Sequence, residues 1–140
     1  MERVMIFIDG SNFYHGLKGE FGTAKIDFAK FGDILTRGRK LEKIYYYNAP
    51  LVQTKKNKER YKAQQRFFNS LKFVPNLIFK LGRLEKRTME IEHKGIASLL
   101  GKRHVTFQVE KGVDVNIAVD MLTLAYNNAY DVAVLVSGDG

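Results

Sequence analysis

Two short runs of consecutive apolar residues stand out in the hydrophobic pattern, one near each end of the chain. The first covers residues 4–8 and is followed at once by Asp9, and the second covers residues 132–136 and is followed shortly by Asp139. Apolar runs of this length, bounded by polar turns that contain glycine, are typical of strands buried on both faces of a sheet. We therefore expect two buried strands, each with an aspartate beyond its carboxyl end.

Between these two strands, apolar residues recur at helical spacing in some segments and form short β-branched or aromatic runs in others. The predicted helices cover residues 11–17, 27–36, 55–73 and 113–127. The predicted strands cover residues 41–48, 76–81 and 104–109, the last returning from an antiparallel excursion with a mobile tip around residues 88–102. Strands that alternate with helices predict one α/β domain, residues 1–140, with a mainly parallel sheet.

Basic residues recur along the predicted helix 55–73 at spacings of three, four and four residues. They are Lys55, Lys58, Lys62 and Arg66, and a basic turn adds Arg37, Arg39 and Lys40. Like charges on one helical stripe cost some stability, which an anionic partner would relieve. We expect this set to bind nucleic acid; the alternative for any one of these residues is an ordinary solvated surface.

The net charge of +8 is unevenly distributed along the chain. Residues 112–140 contain four aspartates and no Lys or Arg, so they carry −4 and the rest of the chain carries +12. This asymmetry indicates a basic surface for a polyanion beside an acidic site. The absence of cysteine excludes disulfides and thiolate chemistry. With no stretch of membrane-span length and no signal-peptide pattern, we expect a cytoplasmic protein.

Aspartates at the ends of the predicted elements are the main candidates for chemistry. If the two apolar strands are parallel neighbours, Asp9 and Asp139 emerge at one sheet edge, and Asp114 begins a helix at that edge. Asp120 lies about 120° further around this helix and is the weaker candidate. Converging carboxylates without His or Cys suit Mg²⁺ or Mn²⁺, which can activate water and neutralise charge on a phosphodiester. The alternative is that each aspartate serves its own turn or helix start.

Three blocks of sequence resemble the NYN domain, and more narrowly its bacterial LabA-like branch within the PIN-like nucleases. They are IDGSN at residues 8–12, KGVDV at residues 111–115 with Asp120 following, and the segment at residues 130–140 that ends in VSGDG. The blocks occur in the family's order and span nearly the whole chain. The resemblance implies a PIN-like three-layer α/β/α fold with a central parallel sheet, and a ribonuclease activity that uses Mg²⁺ or Mn²⁺.

The same resemblance implies roles for individual residues. Asp9, Asp114 and Asp139 match the family's acidic positions, Asp120 matches a further one, and Asn12 matches the asparagine that orders the site. The family pattern continues beyond residue 140 with more sheet and helix. We therefore expect a domain truncated at its C-terminus, or one completed by a second copy of the chain or by a partner chain.

Together the residues and the resemblance predict a metal-dependent ribonuclease that hydrolyses RNA. The aspartates would hold the ion, and the basic residues would hold the RNA backbone. The alternative is a non-catalytic module that binds nucleic acid or a regulatory protein through the same basic surface. A third possibility, an enzyme acting on a small phosphate-containing substrate, explains the carboxylates but leaves the basic helix without a role.

Overall fold

A computed structural model describes residues 1–22, 25–90, 94–101 and 104–138. Strands and helices alternate through most of these residues. In chain order they are β1 (Arg3–Asp9), α1 (Gly10–Phe21), α2 (Phe28–Thr36), β2 (Lys40–Asn48), α3 (Lys58–Leu71), β3 (Leu77–Leu81), β4 (Arg83–Glu90), α4 (Lys94–Leu100), β5 (His104–Lys111), α5 (Val113–Tyr126) and β6 (Val132–Val136). No helix within this part of the chain is long and apolar enough to cross a membrane.

The main sheet is parallel and has the strand order β3-β2-β1-β6. Of its two inner strands, β1 is buried at every residue after Arg3, as a strand covered on both faces should be. β1 and β6 are parallel neighbours, with Val4 opposite Val132 and Ile8 opposite Val136. The predicted α/β fold with a parallel sheet is therefore confirmed.

Side chains of β1 alternate between two apolar clusters, one on each face of the sheet. Val4, Ile6 and Ile8 pack with residues of α1, α2 and α3 on one face. Met5 and Phe7 pack with residues of α5 on the other face. This arrangement is the three-layer α/β/α architecture that the resemblance implied, and it leaves both edges of the parallel sheet open for loops and helix ends.

Two predicted helices have different bounds in the structure. α1 continues to Phe21 instead of ending near Leu17, and Gly22 then ends it in the left-handed conformation at φ 70°. α3 begins at Lys58, because residues 55–56 form a turn before it. The first difference lengthens the wall that α1 provides, and the second removes Lys55 from the helix.

The predicted antiparallel excursion is confirmed as a pairing of two strands. β4 pairs with β5 in a separate two-stranded sheet, with Arg83 opposite Lys111 and Glu90 opposite His104. Within the predicted tip around residues 88–102, the structure describes the end of β4 and the short helix α4, whereas residues 91–93 and 102 lie outside the described residues. β6 is less buried than the second buried strand that the sequence predicted, because among the described strands it pairs with β1 alone, and Leu135 is 53% exposed.

An ion pair joins the start of β1 to the turn before β6. The Arg3 guanidinium donates to both carboxylate oxygens of Asp131 at 3.0 and 3.1 Å, and the Arg3 backbone N–H donates to Oδ2 at 2.7 Å. These hydrogen bonds lower the pKa of Asp131 to about 2, since they favour its ionised form. The pair holds the two parallel strands together at their amino ends.

We expect Asp131→Asn to be less stable than the parent at pH 7 and the difference to shrink at pH 3. A carboxyl whose pKa falls on folding stabilises the folded state above its usual pKa of 3.8, and it loses that contribution as the pH falls towards 2. Urea unfolding midpoints of both proteins at the two pH values measure the effect. A difference that is the same at pH 7 and pH 3 would show that the carboxylate charge is not what stabilises this junction.

Candidate active site

Asp9 is the last residue of β1 and lies at the carboxyl edge of the sheet. Its side chain is only 4% exposed, and the Asn12 amide Nδ2 donates a hydrogen bond to its Oδ2 at 2.9 Å. Because α1 begins directly after the strand, Asn12 lies within the first helical turn and reaches back to the carboxylate. A buried carboxylate is costly unless hydrogen bonds or a cation compensate it, which makes Asp9 the first residue of interest.

Gly10 allows the abrupt change from strand to helix. A Cβ atom at this position would overlap the ring of Tyr46 and the backbone carbonyl of Tyr47, both in β2. The Tyr46 hydroxyl donates to the Gly10 carbonyl at 3.1 Å. Burial, together with the nearby charge of Asp9, raises the pKa of Tyr46, so the hydroxyl remains a donor. The glycine of the IDGSN block therefore has a steric role beside the carboxylate.

Asp114 lies in the first turn of α5 with an exposed side chain. α5 leads into β6, which starts at the amino edge opposite Val4, so α5 begins near the other edge. Its first residue, Val113, is buried in the same cluster as Phe7. Side chains along β1 alternate between the two faces of the sheet, so Asp9 lies on the same face as Met5 and Phe7, which is the face that α5 covers. Asp9 and Asp114 therefore lie on the same face of the sheet, at its carboxyl edge.

Asp139, the third predicted ligand, lies outside the described residues. The chain leading to it is described as far as Gly138, and a Cβ on that glycine would lie 3.3 Å from the Cβ of Asn12. The turn after β6 therefore passes beside the residue that hydrogen-bonds Asp9. The turns that follow β1 and β6 therefore come together at the carboxyl edge of the sheet, as the sequence predicted.

Asp120 takes part in a different set of contacts. Its Oδ2 accepts hydrogen bonds from the Tyr47 hydroxyl and from the Lys80 ammonium, each at 2.8 Å. Burial, then the hydrogen bond to Asp120, raises the pKa of Tyr47. Tyr47 and Lys80 form one row with Asp9 across β1, β2 and β3. The role of Asp120 as a weaker metal ligand stays a prediction. Its Oδ2 already accepts hydrogen bonds from Tyr47 and Lys80, which we call the Tyr47–Lys80 network.

We expect Asp120→Asn to lower the free energy of unfolding by about 1–2 kcal/mol, because hydrogen bonds to a charged, part-buried acceptor are lost. Tyr47→Phe removes one of the two donors and should cost less. Urea unfolding measures both variants. If Asp120→Asn unfolds like the parent but binds Mn²⁺ far more weakly, Asp120 is a ligand and not part of the Tyr47–Lys80 network.

The oxygen atoms available at the carboxyl edge of the sheet are of the chemical type that a hard divalent ion prefers. Asp9 and Asp114 supply carboxylate oxygens, which Mg²⁺ and Mn²⁺ prefer, and Asn12 fixes one oxygen of the first. Among residues 1–22, 25–90, 94–101 and 104–138, no group of three or more His, Cys, Asp or Glu side chains is arranged to hold a metal. The described part of the chain thus supplies two of the three predicted carboxylates.

The predicted basic turn lies at the opposite edge of the sheet. Arg37 and Arg39 precede β2, and Lys40, its first residue, pairs with Arg3 at the amino end of β1. Six residues of strand separate Arg3 from Asp9, a distance of roughly 20 Å. A nucleic-acid role for this turn stays a prediction, and it would concern a part of the ligand far from Asp9.

α3 begins on the carboxyl side of the sheet after β2 and runs back towards the amino edge, so of its basic residues Lys58 lies nearest the carboxyl edge and Arg66 furthest from it. Lys58, Lys62 and Arg66 are exposed on the helix, whereas Lys55 lies in the turn before it. The four residues therefore do not form the single helical stripe that the sequence predicted. Their role in binding nucleic acid also stays a prediction.

Sequence reasoning missed several polar residues that surround Asn12. A cleft of about 470 Å³ beside Asn12 is also lined by Asn48, Arg60 and Gln64. The loop between β2 and α3 brings them together, since the Leu51 N–H donates to the Gln64 Oε1 at 3.2 Å. No motif in the sequence announces this contact, because it depends on how an irregular loop folds back on a helix.

Comparison with known proteins identifies a family. The family model of the NYN domain matches residues 3–140. Among solved structures, a protein of unknown function from Vibrio parahaemolyticus RIMD 2210633 is similar, with a TM-score of 0.59 and 22% sequence identity over 99% of this chain and 67% of that chain. At this identity the likeness concerns the fold alone. No curated protein matches the chain.

Proposed function

Because the chain belongs to the NYN domain family of PIN-like nucleases, we propose that it is a metal-dependent ribonuclease that hydrolyses phosphodiester bonds in RNA. The observation that carries the proposal is the Asp9 carboxylate, 4% exposed and held by Asn12 where β1 ends. Burial of a charged group at a sheet edge costs stability, and a catalytic ion would explain why the chain bears that cost. Within the family we assign the chain to the LabA-like branch, and we place its reaction in the cytoplasm.

In this proposal Asp9, Asp114 and Asp139 hold Mg²⁺ or Mn²⁺. The bound ion would supply an activated water and neutralise charge that develops on the phosphate. Asn12 keeps the Asp9 carboxylate in one orientation through its hydrogen bond to Oδ2. Burial of Asp9 excludes water, which would strengthen its attraction for a cation. Tyr46 stabilises the turn that carries both residues, through its hydrogen bond to the Gly10 carbonyl.

Basic side chains would hold the RNA backbone near this edge. The proposal assigns this role to Lys55, Lys58, Lys62 and Arg66, and gives Arg37, Arg39 and Lys40 contact with a more distant part of a longer RNA. Residues 1–111 carry a net charge of +12, which favours the binding of a polyanion. Such binding is expected to weaken steeply with added salt.

The second candidate function is a non-catalytic module that binds RNA or a regulatory protein. It is favoured by the exposed basic side chains of α3, which would bind a polyanion with or without a bound ion. It differs from the first in predicting binding without turnover. Completion of the site by a second copy or a partner chain stays a prediction under either function.

Incubation of the purified protein with end-labelled single-stranded RNA in Mg²⁺, in Mn²⁺ and in EDTA tests the proposal. We expect cleavage products in at least one metal and none in EDTA, with salt-sensitive RNA binding in all three. Salt-sensitive binding without product in either metal would support the non-catalytic module. Hydrolysis of nucleotides without RNA binding would instead indicate a small-substrate enzyme.

A further inference from the structure

Two clefts that share Tyr14 lie along α1 and α3, and together they form a groove that starts beside Asn12. Its front half is the cleft of about 470 Å³ that Asn12, Arg60 and Gln64 line. Its rear half, of about 700 Å³, is lined by Lys18 and Arg66 among others, and Tyr14 lines both halves. Both volumes are in the range of sites that hold organic ligands. We call this feature the α1–α3 groove.

The front half offers hydrogen-bonding groups suited to the edges of nucleobases. Gln64 uses its carbonyl oxygen to accept the Leu51 N–H, so its Nε2 is the atom that can donate to a base. Asn48 is 4% exposed and is fixed by its hydrogen bond to the Ala49 carbonyl at 2.6 Å. The exposed guanidinium of Arg60 adds a group suited to phosphate.

The rear half combines aromatic rings with cations. The Tyr14 and Phe67 rings are in contact, with centroids 5.4 Å apart. The Lys18 ammonium lies over the Tyr14 ring, 5.3 Å from its centroid. Arg66 is exposed at the rim of this half. Aromatic surfaces flanked by Lys and Arg are the usual means by which proteins bind single-stranded nucleic acid, since bases stack on the rings and phosphates meet the cations.

We propose that the α1–α3 groove binds the single-stranded RNA segment next to the scissile phosphate. Tyr14 is the surface on which a base stacks, and Arg60, Lys18 and Arg66 contact the backbone. The inference rests on the proposed function for the position of that phosphate beside Asp9. From Asn12 to Lys18 the groove follows α1 for about 9 Å. At roughly 3.4 Å per stacked nucleotide, this length accommodates two to three nucleotides.

Single-stranded RNA is favoured over duplex RNA, because the bases of a duplex already stack on each other and cannot reach Tyr14. Charge complementarity selects a polyanion, since Arg60, Lys18 and Arg66 recur along the groove from front to rear. The hydrogen bond from Asn12 to Asp9 connects the front of the groove to the proposed catalytic carboxylate.

Binding of fluorescently labelled RNA in EDTA tests the groove separately from cleavage. We expect a single-stranded 12-mer to bind more tightly than a blunt-ended RNA duplex at the same phosphate concentration. Tyr14→Leu should weaken binding of the strand about 5- to 100-fold, the effect of losing one stacked base, and Tyr14→Phe should bind like the parent. Arg66→Gln should reduce the salt slope by about one, whereas the exposed control Lys72→Gln should leave it unchanged.

The outcomes separate this inference from the proposed function. If Tyr14→Leu and Arg66→Gln bind the strand like the parent while RNA is still cleaved in metal, the groove is not the binding site and the ribonuclease proposal stands. If both variants weaken binding but the parent yields no product in Mg²⁺ or Mn²⁺, the groove is confirmed and the ribonuclease proposal is wrong. Equal binding of the duplex and the single-stranded 12-mer would show that the groove is not the RNA-binding site. Circular dichroism of Tyr14→Leu checks its fold.

Discussion

Replacement of Asp9 by asparagine is expected to lower metal-dependent RNA cleavage by about 10²–10³-fold and to leave the protein at least as stable as the parent. The rate falls because the substitution removes a buried carboxylate that would hold the ion. Loss of a group that stabilises negative charge developing in the transition state typically has an effect of this size. The stability expectation follows because a neutral amide at a site that is 4% exposed avoids the cost of burying a carboxylate.

Single-turnover cleavage of labelled RNA in Mn²⁺ measures the rate, and a thermal melt measures the stability. Asp33→Asn is the matched control, since Asp33 is exposed on α2 and should tolerate the same change. Asn12→Ala, which removes the hydrogen bond that orients Asp9, should lower the rate less, about 10- to 100-fold. Cleavage by pure Asp9→Asn at the parent's rate would contradict the assignment.

Gly10→Ala is expected to destabilise the fold by roughly 3 kcal/mol, towards the upper end of what overpacking costs. The added methyl group would overlap the Tyr46 ring and the Tyr47 carbonyl. The ring could shift, but the carbonyl is backbone in an inner strand and cannot yield without disturbing the sheet. Urea unfolding of the variant against the parent measures the loss.

Gly16→Ala, in the same helix, is the matched control. A Cβ at Gly16 would meet no atom within 4 Å, and alanine is a better helix former than glycine by about 0.5–1 kcal/mol. The two substitutions should therefore change stability in opposite directions. If Gly10→Ala were as stable as Gly16→Ala, the close approach of the β1–α1 turn to β2 would be wrong.

Much of the fold followed from local patterns in the sequence. The continuous apolar run at residues 4–8 predicted a strand buried on both faces, and β1 is one, because helices cover both faces of the sheet. The matching run at residues 132–136 predicted its parallel neighbour. The apolar run at residues 132–136 could not predict how exposed β6 is, because the burial of an apolar strand depends on what lies beside it in the sheet.

The row of Asp9, Tyr47 and Lys80 could not be predicted in the same way. It depends on the register between strands, and the pairing of β1 with β2 shifts by one residue between Val4 and Met5. Such an irregularity changes which side chains face each other along the rest of the strand, and nothing local in the sequence marks it. The contacts of Asp120 with Tyr47 and Lys80 follow from that register.

The position of the basic turn, in contrast, was within reach of the sequence. Arg37 and Arg39 follow a helix and precede a parallel strand, so α/β topology alone puts them at the amino edge, away from Asp9. The start of α3 was harder to predict, because the turn at residues 55–56 is rich in lysine, which is also common in helices.

Paramagnetic broadening by Mn²⁺ tests most directly whether the ion that a ribonuclease would need binds where β1 ends. We predict that substoichiometric Mn²⁺ broadens the backbone amide resonances of Asp9, Gly10 and Asp114 first, in the parent but not in Asp9→Asn. Lys40, at the amino edge and roughly 20 Å away, should stay sharp. Broadening centred on the amino edge, or identical broadening in parent and Asp9→Asn, would contradict a metal site at the carboxyl end of β1.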